Sequence, residues 1–230
     1  MSLTPLPLMV FAAGFGTRMG ALTADRPKPL IEVAGKHLID RALDLAAEIA
    51  PDPIVVNLHY RADQLVDHLK TRDVLFSREE PEILDTGGGM RAALPLLGEG
   101  PVASLNPDVI WRGPNPLAAL IEAWQPEEMD ALLMCIPIGR TIGRVEPGDF
   151  DVDAYGHVTR GGDLVYGGAQ IIKTDMLHDI PETAFSLNMV WSRMIAQNRL
   201  CIAQYPGFWC DVGRPEGIAM AEELLARKDV

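Results

Sequence analysis

The first constraint on the fold is an apolar run at residues 6–13 that ends abruptly in a glycine-containing loop. A short apolar run bounded by turn residues predicts a buried strand. Gly14 and Gly16 follow this strand directly. Glycines in such a loop let backbone N–H groups approach a polyphosphate, because no Cβ stands in the way. The chain is therefore predicted to begin with a strand and a loop suited to bind phosphate.

Two cationic side chains follow this loop. Arg18 offers a planar set of donors to phosphate oxygens, whereas Lys28 is a compact point charge. Pro27 and Pro29 flank Lys28 and restrict its backbone, so that less entropy is lost when the lysine binds a ligand. Each cation alone is compatible with an ordinary surface charge. The two together favour a phosphate site.

Short β-branched runs alternate with helical spacing over the first 138 residues. Strands are predicted at residues 53–58, 74–77, 101–105 and 130–138, and helices at 38–49, 62–70, 89–97 and 117–124. This order predicts an α/β fold in which a mixed, mostly parallel sheet lies between two layers of helices, a three-layer Rossmann-like architecture. Ligands of such sheets bind beyond the carboxyl ends of the strands. Gly14 and Asp108 both lie at such ends.

The second half of the chain is less regular. Residues 148–158 predict a β-hairpin, 164–172 and 200–204 predict strands, and 187–195 and 215–228 predict helices. No linker, repeat or low-complexity tract interrupts the chain. Residues 1–230 are therefore expected to form a single domain, with the hairpin as a small lobe over the substrate.

Composition and charge limit the classes of function. A formal net charge of −12 argues against a nucleic-acid binder, which would carry a basic face, but not against a nucleotide. No apolar run approaches the ~20 residues of a membrane span, and the N-terminus lacks a secretory signal, so a cytoplasmic location is expected. The three cysteines are too scattered for a disulfide framework, and the five histidines show no ligand spacing.

Residues 10–19 (VFAAGFGTRM) and 26–30 (RPKPL) resemble the signature of the sugar-phosphate nucleotidyltransferases, which join a sugar 1-phosphate to an NTP. Residues 84–89 (LDTGGG) are similar to the base-recognition loop of that family, 105–109 (LNPDV) to its Asn-x-Asp strand end, and 209–216 (WCDVGRPE) to its closing motif. The glycine run, the Gly148-Asp149-Phe150 hairpin and the short chain look most like the N-acetylmuramate 1-phosphate uridylyltransferase branch, which serves cell-wall sugar salvage.

The resemblance implies a nucleotidyltransferase fold, a Mg²⁺ cofactor, and an NTP (UTP) and a sugar 1-phosphate (N-acetylmuramate 1-phosphate) as partners of a monomer or small homo-oligomer. Residues 1–110 would mainly bind the nucleotide, and residues 111–230 the sugar phosphate. The metal ligands would be Asp108 and Asp211, and the catalytic residues Arg18, Lys28 and Asp108. The implied contacts to the sugar phosphate are Gly148, Asp149 and Gly168, and those to the nucleotide are Ala12, Ala13, Gly14, Gly16, Thr17, Arg18, Lys28, Asp85, Gly87, Gly88 and Asn106.

Two positions depart from the family pattern. Pro107 stands in the Asn-x-Asp motif where a small residue is usual, and Ala21 replaces a proline. Pro107 removes one N–H and favours an extended Asn106, both of which a strand end tolerates.

Several other interpretations stay open. Asp108 and Asp211 could each be a turn or cap residue if taken alone. A mannose-1-phosphate guanylyltransferase-like enzyme and a weakly active regulatory protein that binds nucleotide sugars are further candidates. A dinucleotide-binding fingerprint is disfavoured, because Pro27 and Pro29 interrupt the helix that it requires.

Overall fold

The computed structural model describes residues 5–227, in which a nine-stranded sheet runs through the middle of the molecule. The strands of the chain are β1 (Leu8–Phe11), β2 (Glu32–Val33), β3 (Lys36–His37), β4 (Ile54–Leu58), β5 (Leu75–Arg78), β6 (Pro101–Leu105), β7 (Val109–Arg112), β8 (Ala131–Pro137), β9 (Thr141–Ile142), β10 (Phe150–Val152), β11 (Val158–Arg160), β12 (Leu164–Lys173), β13 (Leu200–Gln204) and β14 (Phe208–Asp211). The α-helices are α1 (Leu38–Ala47), α2 (Ala62–Leu69), α3 (Asp85–Leu97), α4 (Pro116–Ala123), α5 (Leu187–Ala196) and α6 (Glu216–Ala226).

The sheet combines parallel and antiparallel pairs. Its continuous path is β11-β10-β12-β6-β1-β4-β5, while β8 pairs with both β12 and β13. β1 is parallel to β4 and to β6, and β4 is parallel to β5, so the carboxyl ends of these four strands meet at one edge. The antiparallel strand β12 joins this parallel part to β8. The predicted α/β class with a mixed sheet is confirmed.

Apolar side chains cover both faces of the sheet. Alternate residues of β1 point to opposite faces, so Leu8 and Val10 pack with α1, α2 and α4, while Met9 packs with α3 and α5. This arrangement gives the predicted three layers. No helix within residues 5–227 is long and apolar enough to cross a membrane.

A second, three-stranded sheet lies beside the main one and carries functional candidates. Its order is β7-β14-β9, with β14 antiparallel to β7 and parallel to β9. A third apolar cluster, which includes Ile110, Cys210 and Leu224, packs this sheet against α6. The small sheet therefore fixes residues 108–112 and 208–213 relative to each other.

The structure refines three details of the sequence analysis. The predicted hairpin of β10 and β11 is joined to the main sheet, because Phe150 pairs with Leu164. The segment 84–89 is not a loop, because α3 begins at Asp85. The last helix begins at Glu216 and ends at Ala226; Lys228, the predicted end, lies outside the described residues.

Candidate functional site

A cleft of about 450 Å³ opens beyond the carboxyl ends of β1 and β6. Two smaller pockets of about 220 and 230 Å³ adjoin it and share Phe11 and Asp108 with it. The cleft is of the size that small-molecule sites usually have. It lies at the edge where α/β sheets bind ligands.

The loop after β1 borders these pockets. Ala12, Gly14, Gly16 and Thr17 line one of the smaller pockets, and Ala13 lines the other. The two glycines differ in their surroundings. Gly16 has a φ of +64°, and a Cβ there would stand 2.9 Å from the Lys28 Cβ. A Cβ at Gly14 would meet nothing within 4 Å, so nothing in the described protein explains why this residue is a glycine.

Lys28 and Asp108 form an ion pair across 80 positions of sequence. The Lys28 Nζ lies 2.5 Å from Asp108 Oδ2, and the lysine is only 8% exposed. Both side chains line the pocket that Gly14 and Gly16 border, and Arg18 lines this pocket and the main cleft. The three predicted catalytic residues therefore lie in one place.

Asp211 ends β14 beside Asp108. It lies opposite Val109 in the sheet register, and the Val212 N–H donates to the Asp108 carbonyl over 3.0 Å. Burial raises the pKa of the Asp211 carboxyl, and the charge of Asp108 raises it further, while Lys28 and Arg18 oppose this shift. Two neighbouring carboxylates are the oxygen donors that Mg²⁺ accepts, and a dication would relieve their repulsion. The residues present therefore fit a divalent metal.

The glycine run of α3 packs closely against neighbouring segments of the protein. The N–H groups of Gly87 and Gly88 both donate to the Phe185 carbonyl, at 2.8 and 3.1 Å. Added Cβ atoms would strike the Phe185 ring at Gly87 and Glu79 at Gly89. These two amides are therefore engaged within the protein, and the glycines permit close packing; that backbone groups of the run face a base edge stays a prediction.

Asp85 begins α3 and faces the cleft. Both Asp85 and Thr86 line the main cleft and the pocket that contains Ala13. Asp85 has a φ of +59°, which is unusual for a residue with a Cβ, and its Oδ1 accepts from the Thr86 N–H over 2.6 Å. Asp85 and Thr86 are thus the members of the predicted base-reading segment that line the site.

A series of buried hydrogen bonds links the loop after β1 to the start of α3. The Ala12 N–H donates to Asn57 Oδ1 over 2.6 Å, and Asn57 Nδ2 donates to Glu79 Oε1 over 2.6 Å. The other oxygen of Glu79 accepts from the Leu84 N–H over 2.7 Å. The sequence analysis did not predict this series of hydrogen bonds. The one available signal was a polar residue inside the apolar strand β4.

The residues predicted to bind sugar phosphate have mixed outcomes. Gly148 is not part of the cleft lining, because it packs against the Gly162 carbonyl. Asp149 lines the cleft, but its carboxylate accepts from Arg144 over 2.8 Å and from the Tyr166 N–H over 2.9 Å. Gly168 lines the cleft at a φ of +88°, and its carbonyl accepts from the Asn106 N–H over 2.7 Å. Gly168 therefore holds Asn106 at the cleft wall.

Several cleft residues were not predicted from the sequence. They come from the hairpin and from the N-terminal half of α5 with its cap residue, and they include Phe150, Arg160, Ser186, Asn188 and Trp191. No motif marks them, because they belong to separate segments that the fold brings together.

A second group of possible metal ligands lies between α1 and α2. Ligand atoms of His37, Asp40 and His68 all lie within 4.8 Å of one another, which the absence of ligand spacing in the sequence did not predict. The Asp40 carboxylate already accepts from His68 over 2.8 Å and from Arg72 over 3.3 Å. These contacts account for the cluster as an ion-pair network that links the two helices.

Comparison with known proteins places this geometry in context. Residues 8–179 match the family model of the MobA-like NTP transferase domain. The chain is 42% identical to an N-acetylmuramate alpha-1-phosphate uridylyltransferase of Caulobacter vibrioides over 98% of this chain and 99% of that protein. It is 32% identical to a protein of the same name from Neisseria meningitidis, over 89% and 92% of the two chains.

The fold also matches a solved structure. The crystal structure of a UDP-glucose pyrophosphorylase complexed with UDP-glucose superposes with a TM-score of 0.78 at 16% identity, over 96% of this chain and 98% of that one. At this identity the match supports the fold alone. Together with the sequence relatives, it confirms the resemblance that the motifs predict.

Proposed function

The chain belongs to the MobA-like NTP transferase family, and from this premise we propose that it transfers a uridylyl group from UTP to N-acetylmuramate 1-phosphate and releases pyrophosphate. The observation that carries the proposal is the meeting of Arg18, Lys28, Asp108 and Asp211 at one edge of the sheet. The choice of substrates is supported by the two uridylyltransferase relatives, which span almost the whole chain. Such an enzyme would act in the cytoplasm and convert a sugar recovered from the cell wall into a nucleotide sugar.

The reaction needs no nucleophile from the protein. An oxygen of the sugar phosphate attacks the α-phosphorus of UTP in line and forms a new P–O bond. The bond from this phosphorus to the oxygen that bridges to the β-phosphorus breaks, and pyrophosphate leaves with the electron pair. The sugar phosphate is already deprotonated near neutral pH, so no general base is required. The task of the protein is to position two anions and to offset their charge.

Arg18 and Lys28 supply the positive charge. We assign Arg18 to the β- and γ-phosphates, because a guanidinium can hold two phosphate oxygens at once and stabilises the leaving pyrophosphate. Lys28 is assigned to the α-phosphate or to the attacking phosphate, which it would reach by exchanging its contact with Asp108. The loop at Gly14 offers backbone N–H groups to the same phosphates.

Asp108 and Asp211 would hold Mg²⁺. When bound, Mg²⁺ neutralises the negative charge of the reacting phosphates. Asp108 immediately precedes β7 and Asp211 ends β14, and the pairing of these two strands holds both carboxylates near each other before substrate arrives.

The nucleobase is assigned to the pocket beside Asp85 and Thr86. Uracil presents one N–H donor and two carbonyl acceptors, which backbone and hydroxyl groups can match. The guanine amine would require an additional acceptor, and the Asp85 carboxylate at the start of α3 could supply one, so this pocket does not by itself separate the two bases. The preference for UTP over GTP that we propose rests on the two uridylyltransferase relatives.

A matrix of four NTPs against several sugar 1-phosphates, scored by released pyrophosphate, tests the proposal. UTP with N-acetylmuramate 1-phosphate is expected to give the highest kcat/KM, and Asp108→Asn and Asp211→Asn are expected to remove most turnover without unfolding the protein. Equal or faster reaction of GTP with mannose 1-phosphate would overturn the substrate assignment. Nucleotide binding without pyrophosphate release by the wild type would overturn the enzyme assignment.

A further inference from the structure

The cleft has an outer wall, defined by Phe150, Arg160, Ser186, Asn188 and Trp191, that carries a cation the proposed reaction does not use. Arg160 ends β11, and within residues 5–227 its guanidinium donates no hydrogen bond to a carboxylate. In a chain with a net charge of −12, an arginine that lines a cleft without an acidic partner is a candidate for binding an anionic ligand.

Neutral groups hold the Arg160 guanidinium in place. Its Nη1 donates to Asn188 Oδ1 over 2.9 Å, and its Nη2 donates to the Asn188 carbonyl and to Ser192 Oγ over 3.0 and 3.2 Å. The guanidinium carbon lies 4.8 Å from the centre of the Phe150 ring. A guanidinium has five N–H bonds, so these three contacts leave the Nε–H and one Nη1–H without a partner among residues 5–227. The cation is thus oriented before a ligand binds, which lowers the entropy lost on binding.

Position separates Arg160 from the other two arginines of the cleft. Arg144 pairs with Asp149 over 2.8 Å, and Arg18 also lines the smaller pocket that contains Lys28 and Asp108. Arg160 lines the main cleft but not that smaller pocket. An anion bound at Arg160 is therefore a group different from the reacting phosphates.

We propose that Arg160 binds a carboxylate on the sugar 1-phosphate and thereby selects an acidic sugar over its neutral counterpart. This inference rests on the proposed function and deepens it. N-acetylmuramate 1-phosphate carries a lactyl carboxylate, whereas N-acetylglucosamine 1-phosphate has the same ring, acetamide and phosphate without it. A carboxylate matches a guanidinium in charge and in planar geometry. The first turn of α5 lies at the same wall, and its dipole also favours an anion there.

The test compares both sugar phosphates with UTP in the wild type and in Arg160→Gln. A charge-assisted hydrogen bond is worth enough to lower kcat/KM for the carboxylated sugar by about 10- to 100-fold, mainly through KM. The kcat/KM for N-acetylglucosamine 1-phosphate is expected to stay unchanged. Arg160→Lys keeps the charge but loses the planar guanidinium. Its kcat/KM for the carboxylated sugar is expected to lie between those of the wild type and Arg160→Gln.

Arg193→Gln is the matched control. Arg193 is an exposed arginine on α5, outside the cleft lining. Within residues 5–227, its side chain makes one weak hydrogen bond, to the Asp179 carbonyl. This variant removes one positive charge without changing the outer wall, so kcat/KM is expected to stay unchanged for both sugar phosphates. Equal losses for both sugars in Arg160→Gln would overturn the inference, and so would no loss for the carboxylated sugar.

Calorimetric titration with unphosphorylated N-acetylmuramate and N-acetylglucosamine makes the test independent of turnover. The wild type is expected to bind the first sugar more tightly, and Arg160→Gln is expected to remove the difference. Binding that depends on Arg160 without any nucleotide sugar formed would contradict the proposed function and support this inference. Formation of the nucleotide sugar, together with sugar binding that is unchanged in Arg160→Gln, would support the proposed function and contradict this inference.

Discussion

Replacing Gly14 by alanine separates a functional reason for this glycine from a structural one. The φ of Gly14 lies outside the left-handed region, and an added Cβ would meet nothing within 4 Å. The folded protein therefore accepts Gly14→Ala without strain, while the unfolded chain loses conformational freedom. Stability is expected to rise by about 0.4–1 kcal/mol, which shifts Tm upward by at most about 4 °C in a chain of this size.

Activity is expected to respond in the opposite direction. If phosphate oxygens approach the Gly14 backbone, a Cβ there pushes the triphosphate away from Arg18 and Lys28. A displacement of about 1 Å costs on the order of 100-fold in rate, so kcat/KM for UTP should fall by about that factor. Initial rates of pyrophosphate release and thermal unfolding of the same preparations measure the two effects.

Two other glycines serve as controls. A Cβ at Gly139 also meets nothing within 4 Å, and this residue does not line the cleft, so Gly139→Ala should leave activity unchanged. Gly16→Ala should lower stability by about 1–3 kcal/mol, because φ is +64° and the Cβ would press on Lys28 and Thr23. Wild-type kcat/KM in Gly14→Ala would refute the reasoning, and so would clear destabilisation.

Three further predictions concern charge and buried polar groups. Lys28→Met should lower kcat/KM by about 10- to 100-fold in steady-state assays, and an unchanged rate would contradict its phosphate contact. Asn57→Leu leaves a buried N–H and one oxygen of a buried carboxylate unpaired, so urea unfolding should show a loss of about 2–5 kcal/mol; a loss below about 1 would contradict this. Burial raises the pKa of Asp130, but hydrogen bonds and charges of Arg199 and Lys173 outweigh it and lower the pKa below 3.8. Its ionised form therefore stabilises the fold above that pH and is lost as pH falls further, so Asp130→Asn should flatten the acid limb of a stability–pH curve.

Local patterns predicted the strand-loop segment well. The apolar run, the two glycines and the two cations all lie within residues 6–30, so their geometry depends on neighbouring positions in the sequence. Strand β1 and the loop stand as expected. The contact of Lys28 with Asp108 spans 80 positions, and the sequence analysis did not predict it, although the family motifs placed both residues in one site.

The glycine run shows where local reasoning is insufficient. Three consecutive glycines disfavour a helix, because each costs about 1 kcal/mol relative to alanine. Tertiary packing overrides this preference, since Phe185 and Glu79 approach α3 so closely that a Cβ would collide with them. Arg160 was missed for a related reason, because its partner Asn188 lies 28 positions away and carries no recognisable motif.

The fate of the two ends of UTP tests the central claim most directly. Reactions with N-acetylmuramate 1-phosphate and Mg²⁺ would use UTP radiolabelled either at the α- or at the γ-phosphorus. The α-label is expected to appear in the sugar nucleotide, and the γ-label in an equal amount of pyrophosphate. Asp211→Asn should produce neither. An α-label found only in UMP, or a γ-label found on the sugar, would contradict uridylyl transfer at this site.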